Sequence, residues 1–303
     1  MLFVGDLNNR SLSDSLGRDL NVDVIYPDKH IFDDGEIRMR VETPVLDEEV
    51  FILKSTSQPV NDNFLELLFT IDVLKRSGAK KVTAIIPYLG YSRADHVFRE
   101  GEAVPLEVVI KSLEANGLDE IILIDPHTIR MSEMFRIPHR MESALPVFAE
   151  KIKELDLPAE KISIVSPDMG GIRRVRQLSE MIEGSTYAAI NKDRDLESGS
   201  IESTHVGEGK IREICIVTDD IISTGDTMVK AVDLCLKEGA KDVYMFATQP
   251  VFAGNAHEKL ANCKAKKIYI TDAIPVPEEK IFENLEILSL APHIASLLQK
   301  EKL

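Results

Sequence analysis

Ile214-Cys-Ile-Val-Thr-Asp-Asp-Ile-Ile-Ser-Thr-Gly-Asp-Thr227 is the stretch whose reading decides the fold. It opens as a short apolar run rich in β-branched residues, the composition of a buried strand. Two adjacent carboxylates, Asp219 and Asp220, follow, and then a turn of small residues, Ser223-Thr-Gly-Asp-Thr227. Apolar residues at Met228, Val232 and Cys235 recur beyond it at helical spacing. Strand, acids, turn and helix in that order make a βα unit with chemistry at its joint. Hydroxyls and backbone N–H groups at a helix start form a pocket for an anion such as a phosphate. Paired carboxylates at the carboxyl end of a strand can hold vicinal hydroxyls, directly or through a metal ion. A sugar phosphate carries both kinds of group. The plainer alternative is a βα connection in which Asp219 or Asp220 serves only the local backbone.

Working outward, the bulk composition sets bounds. The chain has 303 residues, 44% hydrophobic and 29% charged, ordinary for a globular protein of two domains or one large α/β unit. No apolar run is long enough to cross a bilayer, and the N-terminus lacks the basic and apolar regions of a secretory signal. A net charge of −15 argues against a nucleic-acid partner. Cys215, Cys235 and Cys263 have no metal-binding spacing, and the first two sit in apolar surroundings as core thiols. A reducing cytoplasm is the expected location.

Short β-like runs occupy Leu2–Val4, Val22–Ile25, Ile37–Val41 and Val50–Leu53. Residues 61–77 place Phe64, Leu67, Leu68, Ile71 and Leu74 on one helical face, and Gly78 ends that helix. Strands are expected at Val82–Ile86, Glu120–Ile124, Lys161–Val165, Tyr187–Ile190 and Val243–Thr248, and a last helix at Pro292–Gln299. An internal echo links two of these regions. Asp72, Gly78-Ala79-Lys80 and Val82 recur as Asp233, Gly239-Ala240-Lys241 and Val243. Each set is a helix end, a tight turn and a strand start, which suggests two similar α/β halves. A linker is expected near residues 141–157, and Ser198–Gly209, rich in Ser, Glu and Gly, reads as mobile.

Val217–Thr227 resembles the phosphoribosyl-diphosphate (PRPP) motif of the type I phosphoribosyltransferase fold. Further segments, in order along nearly the whole chain, resemble those of the PRPP synthetase (ribose-phosphate diphosphokinase) family. Ile31-Phe-Asp-Asp-Gly-Glu-Ile37 is an acidic turn on composition alone. It resembles the family loop that reaches a neighbouring subunit's ATP site, which implies that Phe32 stacks on adenine while Asp34 and Glu36 accept hydrogen bonds. Pro87–His96 resembles a stretch whose Arg93 and Asp95 serve ATP, with Ala94 in place of a usual Gln. Arg99-Glu-Gly-Glu-Ala103 corresponds to the start of a mobile loop and resembles the archaeal-type members. Asp125-Pro-His127 resembles a motif whose histidine meets Mg²⁺ or the triphosphate. Asp168, in Ser166-Pro-Asp-Met-Gly-Gly171, is implied as a magnesium ligand, with Arg173 and Arg176 close behind it for nucleotide phosphates or charge balance. Lys192 and Arg194 match a catalytic loop, with Asn191 and Asp193 as departures.

The resemblance implies an α/β chain of two tandem phosphoribosyltransferase-like domains, each a mainly parallel sheet flanked by helices, over residues 1–145 and 146–303. It implies transfer of the diphosphoryl group of ATP to the C1 hydroxyl of ribose 5-phosphate, giving PRPP and AMP. In that assignment Lys192 and Arg194 are catalytic. Asp219 and Asp220 hold the sugar hydroxyls, and Ser223, Thr224, Gly225, Asp226 and Thr227 hold its phosphate. Mg²⁺, organised by His127 and Asp168, is the cofactor. ATP and ribose 5-phosphate are the partners, and a homodimer or larger assembly is expected because the Phe32 loop needs a neighbour. Two further departures are Gln249 and, more awkwardly, Asp226, where the family has Gly or Ala. A carboxylate facing a phosphate is repulsive. That residue keeps open an alternative, a non-catalytic homologue that binds nucleotide or synthetase subunits as a regulator.

Overall fold

The computed structural model describes residues 2–194 and 201–300, and of residues 192–194 and 201–204 the backbone alone. The chain forms two compact units. The first is built from β1 (Leu2–Val4), α1 (Arg10–Leu20), β2 (Val24–Ile25), β3 (Asp28–Ile31), β4 (Ile37–Arg40), β5 (Glu49–Leu53), α2 (Val60–Arg76), β6 (Lys81–Ile86), α3 (Pro105–Ala115), β7 (Glu120–Ile124) and β8 (His139–Glu142). Its main sheet is entirely parallel, in the order β2-β1-β5-β6-β7-β8. Strands in such sheets are buried on both faces, so they are apolar throughout rather than alternating. All five residues of β7, Glu-Ile-Ile-Leu-Ile, are buried accordingly. β3 and β4 form a separate antiparallel pair.

The second unit contains α4 (Leu145–Glu154), β9 (Ile162–Ser166), α5 (Ile172–Met181), β10 (Thr186–Arg194), β11 (Ile201–Gly209), β12 (Ile214–Ile222), α6 (Asp226–Lys237), β13 (Asp242–Pro250), α7 (Ala256–Ala261), β14 (Lys267–Thr271) and β15 (Leu285–Leu288). Its sheet runs β11-β10-β9-β12-β13-β14-β15. With β11 set aside, this order repeats that of the first unit strand for strand. The echo between the halves extends to individual hydrogen bonds. Gly78 donates to Lys75 O and Ala79 to Leu74 O, while Gly239 donates to Leu236 O and Ala240 to Cys235 O. Gly78 and Gly239 have φ of 86° and 101°, the left-handed conformation that closes a helix at glycine.

Three expectations are corrected. Residues 141–157 are not a bare linker, because β8 ends there and α4 follows. α4 forms because Leu145, Phe148, Ala149 and Ile152 make one buried stripe. Residues 201–209 form β11, paired antiparallel with β10 through Lys192↔Thr204 and Ala188↔Gly209, so backbone pairing outweighs their polar composition. The third concerns α8 (Ala291–Gln299), which belongs to the first unit although a cut at 145/146 assigns it to the second. It packs beside α1, and Gln299 donates to Asp19 O at 3.3 Å. α4, which follows the first sheet, packs in turn beside α5 of the second unit. The helix that follows each sheet therefore completes the other unit.

Candidate active site

Parallel sheets place ligands beyond the carboxyl ends of their strands, at the point where the chain changes direction across the sheet. In the second unit that point lies between β9 and β12. β12 runs straight through Asp219 and Asp220, and the turn Ser223–Gly225 connects it to α6. Gly225 is the N-cap of α6 with φ 80°, a left-handed conformation that L side chains rarely adopt. Having no side chain, it cannot cap the helix, and the first intrahelical bond is Val229 N to Gly225 O at 3.0 Å. The amides of Asp226, Thr227 and Met228 precede that bond, so no helical carbonyl accepts from them. Ser223 O is held by Ala253 N at 3.0 Å, which pins the turn from the β13–α7 connection.

The acid pair behind the turn is electrostatically loaded. Asp220 is 6% exposed, and its amide donates to Asp219 Oδ1 at 2.9 Å. Burial pushes the Asp219 carboxyl well above the usual carboxylate range, and the neighbouring charges of Asp220 and Asp168 push it further. Arg174 works against this, lying 3.9 Å from Asp220. Asp168, just beyond β9, caps the short helical turn Met169–Gly171 by accepting from Gly171 N at 3.3 Å. A Cβ at Gly171 would lie 2.4 Å from Ser166 Oγ and displace that hydroxyl, which donates to Asp168 O at 2.6 Å. Among the described residues, Asp219 and Asp220 thus share the Arg174 guanidinium while the charge of Asp168 bears on Asp219, an acid-rich patch suited to a cation. Among the described residues, no three His, Cys, Asp or Glu side chains converge as a ready-made metal cage.

Asp226 does not face the turn unaccompanied. Its Oδ1 accepts from Lys259 Nζ of α7 at 2.8 Å and its Oδ2 from Thr224 Oγ1 at 3.0 Å. Those two bonds hold its carboxyl below the usual range. Lys259 and Arg174 are the residues that sequence reasoning passed over. Arg173 and Arg176 drew attention instead, yet Arg176 pairs with Glu180 one helical turn on, on the exposed face. No local signal separates Arg174 from Arg176, since both adjoin Val175, a buried position of α5.

The first unit assembles its own candidates at the ends of β6 and β7. The Asp95 carboxylate is buried enough to raise its pKa, but hydrogen bonds from His96 and Thr128 more than offset this and lower it. Its Oδ1 lies 2.6 Å from His96 Nδ1. His127, next to Thr128, is exposed. Arg93 lies within hydrogen-bonding reach of Tyr88, whose hydroxyl is pushed up by burial. Phe32, Asp34 and Glu36 sit together at the tip joining β3 and β4. There Phe32 N donates to Glu36 O at 2.8 Å and Glu36 N to Asp34 Oδ1 at 3.1 Å. Asp34 therefore shapes the turn, while Phe32, 43% exposed, packs edge-on against His30. Lys192 and Arg194 lie on β10, and their side chains are outside the described residues.

Comparison with known proteins agrees with this architecture. Residues 1–117 match the model of the N-terminal domain of ribose phosphate pyrophosphokinase, and residues 135–274 that of the phosphoribosyl transferase domain. Ribose-phosphate pyrophosphokinase 1 of Streptococcus pneumoniae is 33% identical over 94% of this chain and 88% of its own. The ribose-phosphate pyrophosphokinase of Fusobacterium nucleatum is 36% identical over 89% of this chain and 84% of its own. The crystal structure of phosphoribosylpyrophosphate synthetase from Mycobacterium smegmatis superposes with a TM-score of 0.90 at 32% identity, covering 99% of this chain and 98% of that one. These relatives are bacterial and lend no support to the archaeal-type likeness read from Gly101-Glu102. With matches of this length and identity to a strand order built twice over, the chain belongs to the ribose-phosphate pyrophosphokinase (PRPP synthetase) family.

Proposed function

We propose that this chain is a ribose-phosphate diphosphokinase, acting on ATP and ribose 5-phosphate to form PRPP and AMP. The observation that carries the reading is the joint of β12 and α6, an uncapped helix start at Gly225 directly after the loaded pair Asp219–Asp220. The 5-phosphate takes the amides and hydroxyls of Ser223–Thr227, and the carboxylates take the 2- and 3-hydroxyls. So held, the C1 oxygen attacks the β-phosphorus, the bond from that phosphorus to the α-phosphate oxygen breaks, and AMP leaves. The C1 hydroxyl proton passes to solvent, since no side chain is assigned as general base. Positioning and charge stabilisation dominate such a transfer. Lys192 and Arg194 are assigned to charge on the transferring group, Arg93 and Asp95 to the nucleotide, and Phe32, Asp34 and Glu36 to a neighbouring subunit's nucleotide in a homo-oligomer.

The donor set suits Mg²⁺, which is bound through one or two carboxylates plus substrate phosphates and keeps several waters. Asp168, of the acid-rich patch, and His127 would hold it, and when bound it neutralises triphosphate charge. No described helix is long and apolar enough to cross a membrane, and the expected cytoplasmic location and lack of a nucleic-acid partner stand as parts of this proposal.

The pairing of Asp226 with Lys259 removes the repulsion that favoured a non-catalytic regulator. The test is AMP release from ATP with and without ribose 5-phosphate and Mg²⁺. Release that requires both supports the reading. Subunit or nucleotide binding without release supports the regulator and overturns it.

A further inference from the structure

Asp226, the residue whose charge sits most awkwardly in a phosphate turn, carries the inference. Asp226 stands at the first residue of α6, beside amides that the glycine cap leaves open. Its carboxylate engages both neighbours at once, Thr224 Oγ1 at 3.0 Å and Lys259 Nζ at 2.8 Å. Lys259 is on α7, 33 residues along the chain, with its side chain 34% exposed against 53% for Asp226. Thr224 has a single hydroxyl proton, and in this structure Asp226 takes it. An arriving phosphate needs that proton. It also needs the carboxylate charge cancelled, because two anions beside one helix start compete for the same amides.

We propose that Lys259 is a positioning residue for the sugar phosphate: it neutralises Asp226 so that the turn accepts a dianion, and it keeps Asp226 partnered when the Thr224 hydroxyl turns from Asp226 to the phosphate. The proposal rests on the turn Ser223–Thr227 being the 5-phosphate site. Lys259 acts through Asp226 rather than on the reacting atoms, so its removal weakens ribose 5-phosphate binding and leaves nucleotide binding alone. Removing Asp226 as well takes away the uncompensated charge and restores binding.

Calorimetric titration of the full-length protein with ribose 5-phosphate, and separately with MgATP, tests this in wild type, Lys259→Gln, Asp226→Gly and the double variant. Lys259→Gln is expected to bind ribose 5-phosphate about tenfold more weakly with MgATP affinity unchanged. The double variant is expected to recover to within about threefold of wild type. Both side chains are partly exposed, so all four proteins should melt at similar temperatures. A loss under threefold in Lys259→Gln overturns the proposal, as does a double variant no tighter than Lys259→Gln. A wild-type protein that binds MgATP but no ribose 5-phosphate overturns the assignment of the turn itself, and with it the role of Lys259.

Discussion

Lys54 Nζ lies 3.0 Å from Asp6 Oδ1 at the ends of β5 and β1, the strands that correspond to β12 and β9 of the second unit. Lys54 also donates to Glu66 Oε2 at 2.7 Å and Asn63 Oδ1 at 2.8 Å, and Lys29 reaches Glu66 Oε1 at 2.5 Å. Where the second unit sets Asp219 and Asp220 beside Arg174, the first fills the corresponding crevice with its own ammonium groups. Lys54 is 5% exposed, so losing it takes the ammonium from buried Asp6 and leaves buried Glu66 with Lys29. Breaking a buried pair from one side costs about 3–5 kcal/mol. Lys54→Met should lose that much in urea denaturation, and a loss below about 1 kcal/mol would show the network to be dispensable. Burial alone would raise the Glu66 pKa, but bonds from Lys29 and Lys54 lower it below its ordinary value. A depressed carboxyl stabilises the fold above its unfolded pKa and loses that contribution as pH falls through the folded one. The variant's stability should therefore fall less steeply on acidification than wild type.

Asp219 behaves in the opposite sense. Its carboxyl is raised, so the folded state holds a proton that the unfolded state has already lost. Stability then declines as pH climbs from the unfolded value through the folded one. Asp219→Asn should melt higher than wild type, with a gap that widens as pH rises through this window and then levels off. The same variant should lose ribose 5-phosphate binding. A gap that widens toward low pH instead would contradict the burial and charge argument.

Lys192 is assigned to the transferring group, so its loss should appear in turnover. Removing one well-placed donor costs about 3 kcal/mol of barrier, roughly a hundredfold in rate. Lys192→Ala should lose about that much in kcat with little change in KM for ribose 5-phosphate. Near-wild-type turnover would reject the assignment.

What the sequence made legible has a physical pattern. The strand cores, the α2 and α6 faces and the Gly78 and Gly239 closures were readable because each rests on neighbours in the chain. Arg174 and Lys259 were not, because their partners Asp220 and Asp226 are 46 and 33 residues away and only folding brings them together. The exchange of α4 and α8 left no trace for the same reason: amphipathic helices advertise an apolar face but not which sheet receives it. β11 was missed because an edge strand buries little, so its composition stays polar.

The place of α8 in the first unit should show in that unit's stability. α8 buries Ala291, Ile294, Ala295 and Leu298, while α1 buries Leu12 and Leu16. Leu298 is 4% exposed, and Leu→Ala at such a site costs about 2–5 kcal/mol. Leu298→Ala should raise hydrogen exchange in α1, far away in sequence, before it does so in α5. Equal exchange increases in both helices would mean that α8 does not serve the first unit in particular.

Gly225 offers the sharpest separation of backbone from side chain. A Cβ there would meet Leu260 at 3.5 Å and Ala256 O at 3.6 Å, ordinary contacts that leave room for a methyl group. Space is therefore not what demands glycine; the φ of 80° is. Holding an L-residue in the left-handed region costs about 1–2 kcal/mol. Gly225→Ala can meet that cost by losing stability with the turn intact, or relieve it by rotating the turn and misaligning the first amides of α6. The second route harms phosphate binding and leaves the acid pair in place. If the turn is an anion site, Gly225→Ala should weaken ribose 5-phosphate binding about tenfold while MgATP binding persists. A variant that melts as wild type does, its strain relieved by rotation of the turn, yet binds ribose 5-phosphate unweakened would show that the amides of this turn do not hold the phosphate.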